Sequence, residues 1–183
     1  MSTAGVSLTV RRAVPRDAGP IGAVHVAGWR SAYAGILPDH SLTRLSAAQQ
    51  GAQYDRDIRA GRAVFVATAV HPGEADHVVG FTTVGRARTE GLGDGEIETL
   101  YVLDDYRDQG IGRRLLQTGA GHLAAQGCES VFLWVLRDNQ SRWFYERLGG
   151  RVGRVGTTPV GGVEVAQIAY VWPAIASLVG SAD

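Results

Sequence analysis

Hydrophobic positions along the chain follow two different periods, and the places where they switch outline the elements. Ile21, Val24, Gly28 and Ala32 recur at helical spacing, after a start signal at Pro15-Arg16-Asp17 and before the stop at Gly35 and Pro38. Ahead of this helix, Leu8–Val10 suits an edge strand, and beyond it Asp39–Arg59 carries a weaker helical pattern. Arg62–Val70 alternates as a strand, turns at His71-Pro72-Gly73 and returns through His77–Val84, which predicts an antiparallel hairpin. Gly85–Gly95 is glycine-rich, charged and without period, so it is a loop. Strand Glu96–Val102, a tight segment Leu103–Gln109 and a helix from Gly110 to about Gln126 follow. Strand Ser130–Leu136 leads into helix Gln140–Leu148, which Gly149-Gly150 closes. A last hairpin joins Arg151–Gly156 to Val163–Trp172 around Thr157–Gly162. Hairpins at both ends with a βαβ unit between them predict an α/β fold: a mixed, mostly antiparallel sheet flanked by helices.

Composition narrows the function. A length of 183 residues suits one domain over 1–183, with a core of about 6–173. Eighteen basic residues balance eighteen acidic ones, and every base is arginine. A neutral chain has no global field to draw it onto nucleic acid or anionic lipid, so neither partner is expected. The absence of lysine excludes a Schiff base and a P-loop. The single cysteine, Cys128, excludes an internal disulfide and any multi-cysteine metal site, and its place before an apolar run marks a buried structural thiol. His71 and His77 flank a Pro-Gly turn at a spacing unlike a zinc signature, so no metal is expected. The longest apolar stretches, such as Val131–Leu136, are too short to span a bilayer and the N-terminus lacks a signal core, which predicts a cytoplasmic protein.

The chemistry concentrates in Leu100–Arg114. A strand ends at Val102, and Arg107-Asp108-Gln109-Gly110-Ile111-Gly112 then opens a helix. Glycines let backbone N–H groups approach a ligand, and the first N–H groups of a helix are unpaired at the positive end of its dipole. Arg113 and Arg114 in the first turn, with Arg107 ahead, oppose that dipole unless an anion such as pyrophosphate is bound. A dinucleotide fingerprint would need a third glycine where Leu115 stands, which argues against a nicotinamide enzyme.

Two motifs resemble the GNAT superfamily of N-acetyltransferases. Arg107-x-x-Gly110-x-Gly112 is similar to its R/Q-x-x-G-x-G/A loop after the fourth strand. Asn139–Gly150 is similar to N-x-x-A-x-x-x-Y-E-x-x-G-F, with Tyr145-Glu146 in place. Trp29-Arg30-x-Ala32-Tyr33-x-Gly35-Ile36-Leu37-Pro38 resembles a segment of many bacterial members. Two positions depart: Gly150 replaces a phenylalanine, and Arg142 falls where a small residue is common.

The resemblance implies a splayed strand pair that admits acetyl-CoA as cosubstrate. The backbone of Leu100, Tyr101 and Val102 would pair with the pantetheine arm, and the loop Arg107, Asp108, Gln109, Gly110, Ile111, Gly112, Arg113 and Arg114 would cradle the pyrophosphate. Asn139 would fix the pantetheine from the opposite wall, and Tyr145 would protonate the departing thiolate. Glu96 and Glu98 alternate along a strand and so share one face, which Leu100 and Val102 continue; Glu96 resembles the strand glutamate that serves relatives as base. Trp29 and Tyr33 resemble residues lining the acceptor groove. The reading is an N-acetyltransferase acting on a primary amine, small-molecule or peptide, by direct attack in a ternary complex. Its alternative is a non-catalytic acyl-CoA-binding or regulatory domain on the same fold. Strand residues Tyr170, Val171 and Trp172 are placed to pair across a homodimer or within the monomer.

Overall fold

The computed structural model describes residues 6–37, 42–73 and 75–180, so Pro38 and Asp39 lie outside the described residues. Its elements are β1 (Ser7–Arg12), α1 (Ala18–Tyr33), α2 (Ala47–Arg59), β2 (Ala63–Val70), β3 (His77–Arg86), β4 (Gly95–Val102), α3 (Ile111–Ala125), β5 (Val131–Leu136), α4 (Arg142–Arg147), β6 (Arg151–Val160), β7 (Val163–Trp172) and α5 (Ala176–Val179). Among the described residues the strands form one sheet in the order β1-β2-β3-β4-β5-β7-β6. All its neighbours are antiparallel except β4 and β5.

Each face of the sheet carries its own apolar layer. On one side Ile21 and Val24 of α1 and Tyr54 of α2 bury Val64, Val66 and Phe81. On the other Leu115, Leu116 and Leu123 of α3 cover Ala69, Val79, Ile97 and Val131. Beside α1, a charged group is buried at Asp17, which accepts hydrogen bonds from both terminal nitrogens of Arg11 at 2.6 and 2.9 Å and from the Val14 N–H at 2.8 Å.

The helical pattern over Asp39–Arg59 condenses into α2, which Ser46 caps by accepting the Gln49 N–H. The last hairpin is longer than the sequence reading. Strand β6 runs on through Thr157–Val160, and only Gly161-Gly162 turn, both at positive φ. Thr157–Gly162 reads as a turn, but Pro159 is tolerated in the strand because β6 is an edge strand of the sheet. That order also moves the free edge. Tyr170–Trp172 lie in β7 and pair with β5, and Tyr170 and Val171 also pair with β6 on the other side, so this segment is interior to the sheet rather than at its edge. No helix of the described residues is long and apolar enough to cross a membrane.

Candidate active site

The sheet opens between its two parallel strands. Strands β4 and β5 pair at Gly95–Val131 and Glu96–Phe132, and beyond those residues they part. A local cause is visible on β4. Opposite β3 the register passes from Thr83–Thr99 to Val84–Ile97, so Glu98 is an extra residue, a bulge that bends and twists its strand. The gap so formed is a cavity of about 870 Å³.

The bulge also corrects the face assignment. Ile97 packs toward α3, and so do Leu100 and Val102, three and five residues on. The inserted residue inverts the alternation, so Leu100 and Val102 do not continue the face that carries the glutamates. Their backbone, with that of Tyr101, borders the cavity.

One end of the cavity is the start of α3. Asp108 and Gly110 take left-handed conformations, at φ 59° and 75°, before the helix begins at Ile111. Arg107, Asp108, Gly110, Ile111, Gly112 and Arg113 all line the cavity. Arg107 reaches Asp104 at 2.8 Å, so its charge is balanced locally. Gln109 and Arg114 are not on the wall: the Gln109 amide donates to the Asp105 carbonyl at 3.2 Å, and Arg114 donates to the Leu8 carbonyl of β1 at 3.1 Å. Consecutive helix positions lie about 100° apart, so Arg113 and Arg114 diverge.

The opposite wall comes from β5 and α4. Asn139, buried, accepts the Ser141 N–H at 2.9 Å and thereby fixes the approach to α4. Burial raises the Tyr33 phenol, and the side chains of Tyr101 and Asn139 offset part of that rise. Tyr145 projects from α4 into the cavity, and burial, then its neighbour Tyr33, hold its phenol well above the ordinary value. A phenol in this setting keeps its proton at any physiological pH. The two departures from the motif have local explanations. A Cβ on Gly150 would lie 2.8 Å from Trp172 Cζ2 and 2.9 Å from the Tyr145 carbonyl, so the indole fills the space beside it. Arg142 lies over the Trp143 ring at 4.3 Å, out of the way of the core.

On the side of α1 the wall is aromatic. Trp29 and Tyr33 meet edge to face at 4.5 Å, and both line the cavity. Two residues here escaped the sequence reading. His25 stacks on Tyr101 at 5.2 Å and its Nδ1 lies 2.8 Å from the Tyr54 hydroxyl. Burial lowers its pKa to about 4, so the imidazole is neutral. The Tyr54 phenol is raised, by burial first and then by Asp57 and Glu98. The signal for His25 was its position four residues before Trp29 on the same helix face.

The two glutamates separate in role. Glu96 is 4% exposed and accepts from the Arg88 backbone N–H and from two guanidinium nitrogens of Arg88, at 3.2, 3.0 and 2.7 Å. It lies off the cavity wall and ties down the loop after β3. Glu98 lines the cavity, with Arg62 on both carboxylate oxygens at 2.9 and 2.7 Å. Each carboxylate thus faces an arginine as its main partner.

Comparison with known proteins agrees with this architecture. Residues 29–150 match the model of the acetyltransferase (GNAT) family. The uncharacterized N-acetyltransferase YuaI of Bacillus subtilis is 33% identical over 172 residues, which cover 93% of this chain and 96% of that protein. A GCN5-related N-acetyltransferase from Rhodopseudomonas palustris superposes with a TM-score of 0.66 at 22% identity, covering 90% and 94% of the two chains. The yncA protein of Salmonella typhimurium, solved with its cofactor acetyl-CoA, superposes at 0.62 and 19% identity over 90% and 92%. With its parted parallel strands, glycine-opened helix and tyrosine-bearing α4, the chain belongs to the GNAT family of acetyltransferases.

Proposed function

We propose that this acetyltransferase moves the acetyl group of acetyl-CoA to a primary amine, small-molecule or peptide, by direct attack within a ternary complex. The observation that carries it is the wedge itself. The facing edges of β4 and β5 beyond Glu96 are not paired to each other, so the backbone of Leu100–Val102 offers an extended amide-bearing arm the partners a neighbouring strand would supply. At one end of that edge the unpaired N–H groups of α3, with Arg107 and Arg113 nearby, suit a pyrophosphate. These residues fit the cosubstrate.

Tyr145 is the acid. Its protonated phenol gives a proton to the departing sulfur as the amine nitrogen bonds to the acyl carbon and the C–S bond breaks. Of the two strand carboxylates, Glu98 is the one on the wall, and it takes the proton that the amine loses, directly or through water. The amine enters along the aromatic side formed by His25, Trp29 and Tyr33.

Thiol release from acetyl-CoA against a broad panel of primary amines tests the reading. Tyr145→Phe is expected to lower kcat about ten- to a thousand-fold with the best acceptor. Unchanged turnover removes Tyr145 from the mechanism. Tight CoA binding with no turnover on any amine would favour a non-catalytic acyl-CoA-binding domain instead.

A further inference from the structure

The turn Asp104–Tyr106 hands β4 over to the loop at 107–112, and side chains tie it to two distant parts of the chain. From α1, Ser31 Oγ lies 3.0 and 2.8 Å from the two carboxylate oxygens of Asp104. From the β2–β3 turn come two histidines. His71 Nε2 lies 3.0 Å and His77 Nε2 2.9 Å from the Tyr106 hydroxyl, and the two imidazoles stack at 5.3 Å, within 7° of parallel.

This trio is chemically complete. A phenol can donate its one proton and accept N–H groups on its oxygen, so both imidazole nitrogens find a hydrogen-bond partner in Tyr106. The bonds span 35 and 29 residues of sequence, so they fasten the turn to the far end of the β2–β3 hairpin.

The backbone just beyond explains why such fastening matters. Asp108 is the one non-glycine residue at positive φ among the described residues, and Gly110 follows at 75°. A side chain makes that conformation costly, and it persists only where the surroundings impose it. Tyr106 and Arg107 both line the cavity, so the tie is applied at the wall itself.

We propose that Tyr106, gripped by His71 and His77, is a positioning residue that pre-forms the pyrophosphate loop, acting through the backbone of 107–110 rather than on the reacting atoms. The proposal rests on the assignment of CoA to this cavity. Tyr106→Phe keeps the ring and removes both bonds. Calorimetric titration with CoA is expected to show Kd raised about 5- to 30-fold, the worth of two ordinary hydrogen bonds. S-acetylpantetheine has the same thioester arm without the pyrophosphate, and its affinity, followed by NMR titration, should stay within about twofold. His77→Ala should reproduce part of the loss, while His77→Gln, whose amide can donate or accept at that place, should restore most of it.

Equal weakening of both ligands would mean a general structural role and overturn the proposal, as would unchanged CoA affinity in Tyr106→Phe. A parent chain that fails to bind CoA overturns the assignment of the cavity and this proposal with it, before any substitution is made.

Discussion

Gly28 offers a test of how closely α1 approaches β4. A Cβ at this position would lie 2.7 Å from Tyr101 Cδ1 and 3.2 Å from both its Cβ and Cγ. Ordinary contact would require the ring to retreat by on the order of 1 Å. It has little room to do so, because His25 stacks on it at 5.2 Å and Phe81 lies at 5.8 Å. Overpacking of this kind costs about 1–3 kcal/mol, while alanine gains about 0.8–1.0 kcal/mol over glycine inside a helix. Gly28→Ala should therefore be destabilised by up to about 2 kcal/mol. Gly121 is the internal control. It lies within α3, and its nearest neighbour would be Val179 Cγ1 at 4.0 Å, so Gly121→Ala keeps the propensity gain without the clash. The propensity term cancels between the two variants, and their difference, about 1–3 kcal/mol, isolates the collision with Tyr101. Urea unfolding with equal m-values measures it, and Tm values should differ by about 2–12 °C for a domain of this size. Because Tyr101 borders the cavity, Gly28→Ala should also raise the Kd for CoA, and Gly121→Ala should not. Two equally stable variants would refute the packing of α1 against β4 described above.

Three further outcomes follow from buried groups. His25, held near pKa 4 by burial, resists a proton that the unfolded chain accepts below about 6.5, so its contribution is full above that pH and is lost as the pH falls toward 4. The stability advantage of the parent chain over His25→Gln should shrink by about 1–3 kcal/mol between pH 7 and 4.5 in denaturant titrations. Burial pushes the Asp17 carboxyl up, but the Arg11 hydrogen bond and the Val14 N–H outweigh it and leave it below the ordinary value. Its stabilisation is present above pH 4 and vanishes as the pH drops through that lowered value, and Asp17→Ala should cost about 1.5–3 kcal/mol at pH 7. Gly150→Ala meets Trp172 and the Tyr145 carbonyl and should lose about 1–3 kcal/mol in urea unfolding, with a fall in turnover because Tyr145 is displaced.

Local rules made much of the fold readable in the sequence. The helix from Gly110, the strand before it and the hairpin around His71-Pro72-Gly73 follow from periodicity and turn chemistry. That the loop around Gly110 and Tyr145 would share one site was readable because their motifs are contiguous, and both line the cavity. What escaped depends on partners far along the chain. Nothing in Glu96-x-Glu98 announces that Arg88 and Arg62 will meet them from the loop after β3 and from the connection before β2. A bulge adds one residue to one strand, and a strand pattern with and without it looks alike until its partner's register is known, so the inverted face of Leu100 and Val102 was hidden. Arg113 and Arg114 look like a pair in a string of letters, yet helical rotation sends one to the cavity and the other to β1. His25 and Tyr106 carry no motif. Their roles arise from Tyr54 and from the histidine pair, each 29 or more residues away.

These misses share a location, and that bears on how the site works. The cavity exists because the sheet is interrupted twice, by the extra residue at Glu98 and by the parting of β4 and β5 after Glu96. An interrupted sheet leaves backbone groups without strand partners, which is costly unless a ligand or water supplies them. The chain surrounds the interruption with rigid groups: Tyr101 held by Gly28, His25 and Tyr33, Asn139 by Ser141, Tyr106 by His71 and His77. Each grips an element bordering the wedge. The unpaired backbone therefore stays open to an extended ligand while its geometry is fixed in advance. Binding then need not bear the cost of ordering the walls, and in the reaction proposed above the interaction energy is left for aligning the thioester with the amine.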